Sequence, residues 1–246
     1  MQKLKDKIAL VTGGSRGMGA AIVKQMAREG ATVVFTYVNG KEKAQALVDE
    51  LTSEGLNVSA VKADNALENE ITSALTQTVE KFGKLDILVN NAGVYGGKPM
   101  EDYTLDDYRF VMDINVKAVF EAAIFAAQKL EKSGRFITIG SNMADRVVAG
   151  QGTLYSMSKS ALVGLTKGLA RDLGPKGITV NLVQPGPVNT DMNPADGGHA
   201  DKARSLMAIP KYGDPQQIAE VVAYLAGPSA SFTTGSIMTI DGGFNS

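Results

Sequence analysis

The stretch Lys7-Ile8-Ala9-Leu10-Val11-Thr12-Gly13-Gly14-Ser15-Arg16-Gly17-Met18-Gly19 runs from an apolar segment of strand length, through a turn holding four glycines, into a helical pattern. Glycine lets a backbone come close to a pyrophosphate, and the amides at a helix N-terminus, with the dipole behind them, favour an anion. The spacing is Gly-x-x-x-Gly-x-Gly rather than the G-x-G-x-x-G of the general dinucleotide fingerprint. Its place between strand and helix still predicts a phosphate cradle made of Gly13, Ser15, Arg16, Gly17, Met18 and Gly19.

Outward from this turn the same alternation repeats. Strands are predicted at Lys7–Thr12, Thr32–Thr36, Asn57–Ala63, Leu85–Val89, Arg135–Ser141, Ile178–Val183 and Ser236–Ile240. Helical patterns separate them: Gly17–Glu29, Lys41–Ser53, a face formed by Ile71, Leu75, Val79 and Phe82, a helix capped by Thr104 and Asp107, and one from Asp214 to Ala226. Strands feeding crossover helices build a parallel sheet with helices on both faces, so the expected fold is α/β, one doubly wound domain spanning residues 1–246 with about seven strands. Such sheets bind ligands beyond the carboxyl ends of their strands. Gly13, Asp64, Asn91, Ser141 and Pro185 all follow a strand.

Composition narrows the chemistry. The 246 residues are 44% hydrophobic and 21% charged, with a formal net charge of -1, which gives no basic field for nucleic acid or an anionic membrane. Without cysteine there are no disulfides, thiolate nucleophiles or cysteine-held metals, and the single His199 rules out a histidine-pair metal site, so no metal is expected. The N-terminus lacks a signal-peptide core and no run of 18 apolar residues occurs; a cytoplasmic protein is expected.

A second stretch carries the chemistry. Gly140-Ser141-Asn142 ends an apolar strand, and Tyr155-Ser156-Met157-Ser158-Lys159 opens a helix with the phenol and the ammonium on one face. An ammonium nearby is expected to stabilise the phenolate and lower the tyrosine pKa, while Ser141 donates to the same substrate oxygen. A proton donor beside an oxyanion stabiliser suits a carbonyl being reduced to an alcohol.

Taken together, the glycine turn, Asn90-Asn91-Ala92-Gly93, Asn115, Ser141, Tyr155-x-x-x-Lys159, Pro185-Gly186 and Asp241-Gly242-Gly243 resemble the short-chain dehydrogenase/reductase family over nearly the whole chain. The closest resemblance is to the branch with 3-oxoacyl-carrier-protein reductases and bacterial carbonyl reductases. The resemblance implies Tyr155 as acid/base and Lys159 as its pKa modulator and a holder of the nicotinamide ribose. It further implies that Ser141 orients the carbonyl and that Asn115 anchors a water leading to solvent. Asp64 and Asn65 would meet the adenine; Asn91, Ala92 and Gly93 would line the cofactor cleft; Pro185, Gly186, Val188 and Thr190 would enclose the carboxamide. Asn91 has a second reading as a tie between strands, and Pro185-Gly186 as a strand end. The interval from Ser141 to Tyr155 is one residue longer than is common in the family, which predicts a bulged loop through Met143, Asp145 and Arg146.

The cofactor expected is NADPH. NAD-binding folds place a carboxylate near the end of the second strand, where this chain has Tyr37, and Arg16 offers a guanidinium to a 2′-phosphate. Residues 191–212 read as a mobile lid. A small or medium carbonyl substrate is favoured over an acyl-carrier thioester, whose basic docking patch would fall to Lys129, Lys132 and Arg135 with Glu131 among them. A non-catalytic nucleotide-binding regulator is the alternative from another class. Small residues on the Tyr155 helix predict close packing against another subunit, and the resemblance implies a homotetramer.

Overall fold

The computed structural model describes residues 2–246. Seven strands form one sheet: β1 (Ile8–Val11), β2 (Thr32–Tyr37), β3 (Val58–Lys62), β4 (Ile87–Asn90), β5 (Arg135–Ile139), β6 (Thr179–Pro185) and β7 (Ile237–Ile240). Their order is β3-β2-β1-β4-β5-β6-β7 and every pairing is parallel. The chain therefore turns back beside β1. Leu10 sits between Val34 and Leu88, and all three are buried because helices cover both faces.

The helices α1 (Gly17–Arg28), α2 (Lys41–Ser53) and α8 (Pro215–Ala226) pack on one face. On the other lie α3 (Glu70–Phe82), α5 (Ala118–Lys129) and α6 (Thr153–Leu173). Spacing explains the attachment: α1 buries Ile22, Val23, Met26 and Ala27 as a single stripe, and α3 buries Ile71, Ala74, Leu75 and Thr78. The helix α4 (Leu105–Met112) starts from a Thr104/Asp107 capping box and α8 from Asp214, with Pro215 at its first position and Gln217 bonding back. At the opposite end of the sheet from the site, Asp86 accepts from the Ile8 amide at 2.8 Å and pairs with Lys7 and Lys84. Burial alone would raise its pKa, but these partners together hold it below the usual range.

Four local expectations change. The first, third, fourth, fifth and seventh strands are shorter than the apolar runs suggested, the second extends to Tyr37 and the sixth runs on to Pro185. Tyr155 lies inside the first turn of α6, which begins at Thr153. Asn115 sits in a π-helical turn, Asp113–Lys117, between α4 and α5, rather than in regular helix. Residues 191–212 are not simply a loop, since they contain the short helix α7 (Ala200–Ser205). Among the described residues no helix is long and apolar enough to cross a membrane.

Candidate active site

The glycine turn is locked before any ligand is considered. Gly13 and Gly17 have φ of 65° and 54°, which other residues adopt only under strain, and a Cβ on Gly19 would overlap the Gly13 carbonyl oxygen. The Thr36 hydroxyl accepts from the Gly13 amide at 3.0 Å. The Thr12 hydroxyl accepts from both the Asn91 and Ala92 amides at 3.0 Å, while Asn91 Nδ2 donates to the Thr12 and Gly13 carbonyls at 2.9 and 3.1 Å. Asn91 is thus the tie between strands that its second reading proposed, at the wall of the cleft. Ser15 and Met18 belong to the same turn, and Arg16, exposed, precedes α1 without capping it and has no carboxylate partner among the described residues. Tyr37, half-buried, ends β2 with no acid beside it.

Other cofactor-side residues gather at the same edge. Asp64 follows β3, its amide donating to Glu70 at 2.5 Å and its carboxylate accepting from Ala66, with Asn65 buried beside it. Across the cleft, Thr190 is the nearest neighbour of Gly17: a Cβ there would lie 3.4 Å from its methyl. Val188 is buried and bridges to Gly213, and the Gly186 amide donates to Ile240 at 3.0 Å directly after Pro185.

The four catalytic candidates converge on the end of β4 and β5. Asn115 is buried, accepting from the Val94 amide at 2.9 Å and donating to the Val94 carbonyl and to Ser158, each at 3.0 Å. Its side chain clamps the segment after Gly93 onto α6. A Cβ on Gly93 would lie 3.3 Å from both Asn115 Oδ1 and Lys159 Nζ, so this glycine is what lets the loop pass so close to the ammonium. Lys159 donates to the Ile139 carbonyl at 3.0 Å, and burial pushes its pKa down to about 8. Ser141, also buried, accepts from the Met143 amide at 3.2 Å, leaving its proton for another partner.

The electrostatics correct one expectation. Burial pushes the Tyr155 phenol up, contact with Ser141 draws it partly back, and Tyr95 adds to the rise. The net direction is upward, where Lys159 was expected to lower it. The ammonium lies 5.7 Å from the phenol's ring centroid and is engaged with Ile139. What stands at the site is a half-buried tyrosine whose phenol is held above its ordinary pKa.

Several contributors carry no announcing signal in the sequence. The Tyr95 ring packs on Tyr155, and nothing in the run Asn91-Ala92-Gly93-Val94-Tyr95 marks that aromatic residue for the site. Thr12 and Thr36 read as strand residues until the pairing of β1 with β2 and β4 sets them under the glycine turn. The loop after Ser141 is not simply bulged: it forms a 3-10 turn, Asn142–Ala144, stapled to α6 by Ser156 on Met143 and Ser160 on Ala144, and its one positive φ is Gln151 at 68°. The docking patch fails at Arg135, which is buried at the far end of β5 with its guanidinium on the Ser133 and Gly134 carbonyls, its pKa lowered by burial. Among the described residues no three His, Cys, Asp or Glu side chains come close enough to hold a metal.

Comparison with known proteins agrees with this geometry. The family model described as Enoyl-(Acyl carrier protein) reductase matches residues 13–245. The "Cyclic-di-GMP-binding biofilm dispersal mediator protein" of Escherichia coli (strain K12) is 45% identical over 244 residues, covering 99% of each chain. The structure "Short-chain dehydrogenase/reductase from Serratia marcescens BCRC 10948" superposes with a TM-score of 0.97 at 52% identity, over 99% of this chain and 100% of that one. A short chain dehydrogenase from Burkholderia cenocepacia J2315, in complex with NADP, gives 0.97 at 49% identity with the same coverage.

Proposed function

The chain belongs to the short-chain dehydrogenase/reductase family of oxidoreductases, and on that premise we propose that it uses NADPH to reduce the carbonyl of a small or medium ketone or aldehyde. The observation that carries this reading is the Tyr155 phenol set beside Ser141, with the Lys159 ammonium 5.7 Å from its ring centroid. An alkoxide is far more basic than any phenolate, so a phenol with a raised pKa still gives up its proton as the alcohol forms.

The residues present fit the cofactor. Gly13 and Gly19 let the turn close tightly on Asn91, Ala92 and its own backbone, Gly17 leaves the start of α1 uncovered so that its amides can meet a pyrophosphate, and Arg16 is free to meet a 2′-phosphate. Asp64 and Asn65 would face the adenine, with Asn91, Ala92, Gly93, Val188 and Thr190 about the nicotinamide end. NADPH, when bound, supplies the hydride. Tyr155 then protonates the carbonyl oxygen, Ser141 donates a hydrogen bond to that oxygen, and Lys159, held by Ile139, keeps positive charge next to it. The Tyr95 ring packed on Tyr155 narrows the approach to the phenol, which supports a compact carbonyl compound. An acyl-carrier substrate loses support with the burial of Arg135 at the other end of the sheet.

The second reading, a nucleotide-binding regulator, draws support from the Escherichia coli relative whose printed name is cyclic-di-GMP-binding. One experiment separates the two. A panel of ketones, diketones, aldehydes and acyl thioesters is followed by NADPH absorbance, with Tyr155→Phe in parallel and cyclic-di-GMP titrated calorimetrically. Turnover that falls about 100-fold or more in Tyr155→Phe, with NADPH affinity kept, supports the reductase. No turnover in the parent, together with cyclic dinucleotide binding, supports the regulator.

A homotetramer in the cytoplasm completes the proposal. Ala161, Gly164 and Gly168 lie exposed along α6, with open space where a Cβ on either glycine would stand, and Phe120 and Ile124 on α5 are about half exposed.

A further inference from the structure

We propose that Asn245 is a positioning residue for Ser141, and that Asp241–Ser246 joins the serine loop, the Pro185-Gly186 turn and the lid into one mechanical unit. This rests on the reading of Ser141 as the group that orients the carbonyl. Asn245 Nδ2 donates to the Asn142 carbonyl at 2.8 Å, and Asn142 Nδ2 donates back to Asn245 Oδ1 at 3.4 Å. Asn142 is buried and is the residue next to Ser141. One turn on, the Arg146 guanidinium donates to the Phe244 carbonyl at 2.6 Å, so the tail grips the serine loop at two points.

The tail is itself preset. The Asp241 carboxylate accepts from the Gly243 and Asn245 amides at 2.9 and 3.0 Å, and Gly242 and Gly243 take φ of 64° and 76°, a turn that aims Asn245 at the serine loop. Its other contacts reach the remaining walls. The Ile209 amide donates to the Gly242 carbonyl at 2.9 Å, and Gly186 is pressed so close to Asp241 that a Cβ on it would lie 2.5 Å from the Asp241 Cβ. Ser141 depends on this arrangement because its hydroxyl takes its acceptor contact from the Met143 amide. When the 3-10 turn shifts, that contact goes, and the direction of the serine proton goes with it.

The test uses the full chain with Asn245→Ala, Asn245→Asp, Ser141→Ala and the Asn245→Ala/Ser141→Ala double variant. Hydrogen exchange by mass spectrometry and steady-state kinetics are both read. Asn245→Ala is expected to lower kcat by about tenfold, with the KM for NADPH unchanged within about twofold. Asn245→Asp, which cannot donate to the Asn142 carbonyl, should do the same. On the Ser141→Ala background the tail substitution should cost less than about twofold more, because the residue through which it acts is gone. Peptides over residues 140–152 should exchange faster, while those over 87–94 stay as in the parent. A kcat within about twofold of the parent, a full tenfold loss added to Ser141→Ala, or unchanged exchange at 140–152 would each overturn the proposal. A parent that reduces no carbonyl defeats the functional reading instead, and the exchange result alone then decides whether the tail holds the serine loop.

Discussion

The Tyr95 ring meets the Tyr155 ring edge-on, with centroids 5.0 Å apart and planes inclined by 66°. Edge-to-face pairs are favoured by about 0.5 to 1.5 kcal/mol beyond their buried area, and here the partner is the proposed proton donor. The Tyr95 hydroxyl reaches toward the Gln151 carbonyl at 3.5 Å, so the ring spans from the segment after Gly93 to the loop before α6.

Removing that ring should change which carbonyls enter. In Tyr95→Ala, the ratio of kcat/KM for a bulky aryl ketone to that for a small aliphatic one is expected to rise by about fivefold or more. Competition assays with the two substrates measure it directly. A ratio unchanged within twofold would show that Tyr95 does not bound the pocket.

Lys159 should leave a pH signature in stability. Burial depresses its folded pKa to about 8 from an ordinary 10.5, so the fold carries the cost of the buried charge in full below pH 8. That cost disappears as pH rises toward 10.5, where the unfolded chain also loses the proton. Relative to Lys159→Met, the parent should therefore gain roughly 3 kcal/mol between pH 7 and 10.5. The lost bond to Ile139 offsets both measurements equally. Urea unfolding of the two proteins at pH 7 and 10 tests this, and a pH-independent gap would contradict it.

Cofactor choice should follow Arg16 and Tyr37. A charge-assisted contact contributes about 1.5 to 3 kcal/mol, which predicts a preference for NADPH over NADH of about 10 to 150-fold in kcat/KM. Arg16→Ala should remove most of it by weakening NADPH use, and Tyr37→Asp should raise NADH use by repelling the 2′-phosphate. Equal kcat/KM for both cofactors in the parent would refute the assignment.

Subunit contact should fail when the small face of α6 is filled. Gly164→Arg places a long cation where open space lies over the Cα, and is expected to yield smaller species by mass photometry without loss of helical circular dichroism. A tetramer that persists in the variant would move the interface elsewhere.

The parts of this molecule that were legible in the sequence are those fixed by short-range rules. The glycine turn, the Tyr155/Lys159 spacing and the Thr104 and Asp214 caps each specify themselves within a few residues, and seven apolar runs were enough for the sheet. The π-helical turn at Asp113–Lys117 was not legible, because it is set by Asn115 having to reach both Val94 and Ser158. The direction of the Tyr155 shift was missed for a related reason: spacing puts two side chains on a helix face but says nothing of how deeply the sheet and loops will bury them. Asn245 meets Asn142 across 103 residues of chain, a distance no local pattern spans.

The strand order has a cost in time. Ile8 finds the Asp86 carboxylate 78 residues further along, and β1 remains without its inner neighbour until β4 has been made. Loop-closure entropy has to be met before these non-local pairings return anything, so folding belongs to the slow, millisecond-to-second regime. Until then Ala9, Leu10 and Val11, all interior in the finished sheet, lie on an open strand edge. During synthesis that edge competes for other chains, and slower translation at reduced temperature should favour soluble yield over inclusion bodies.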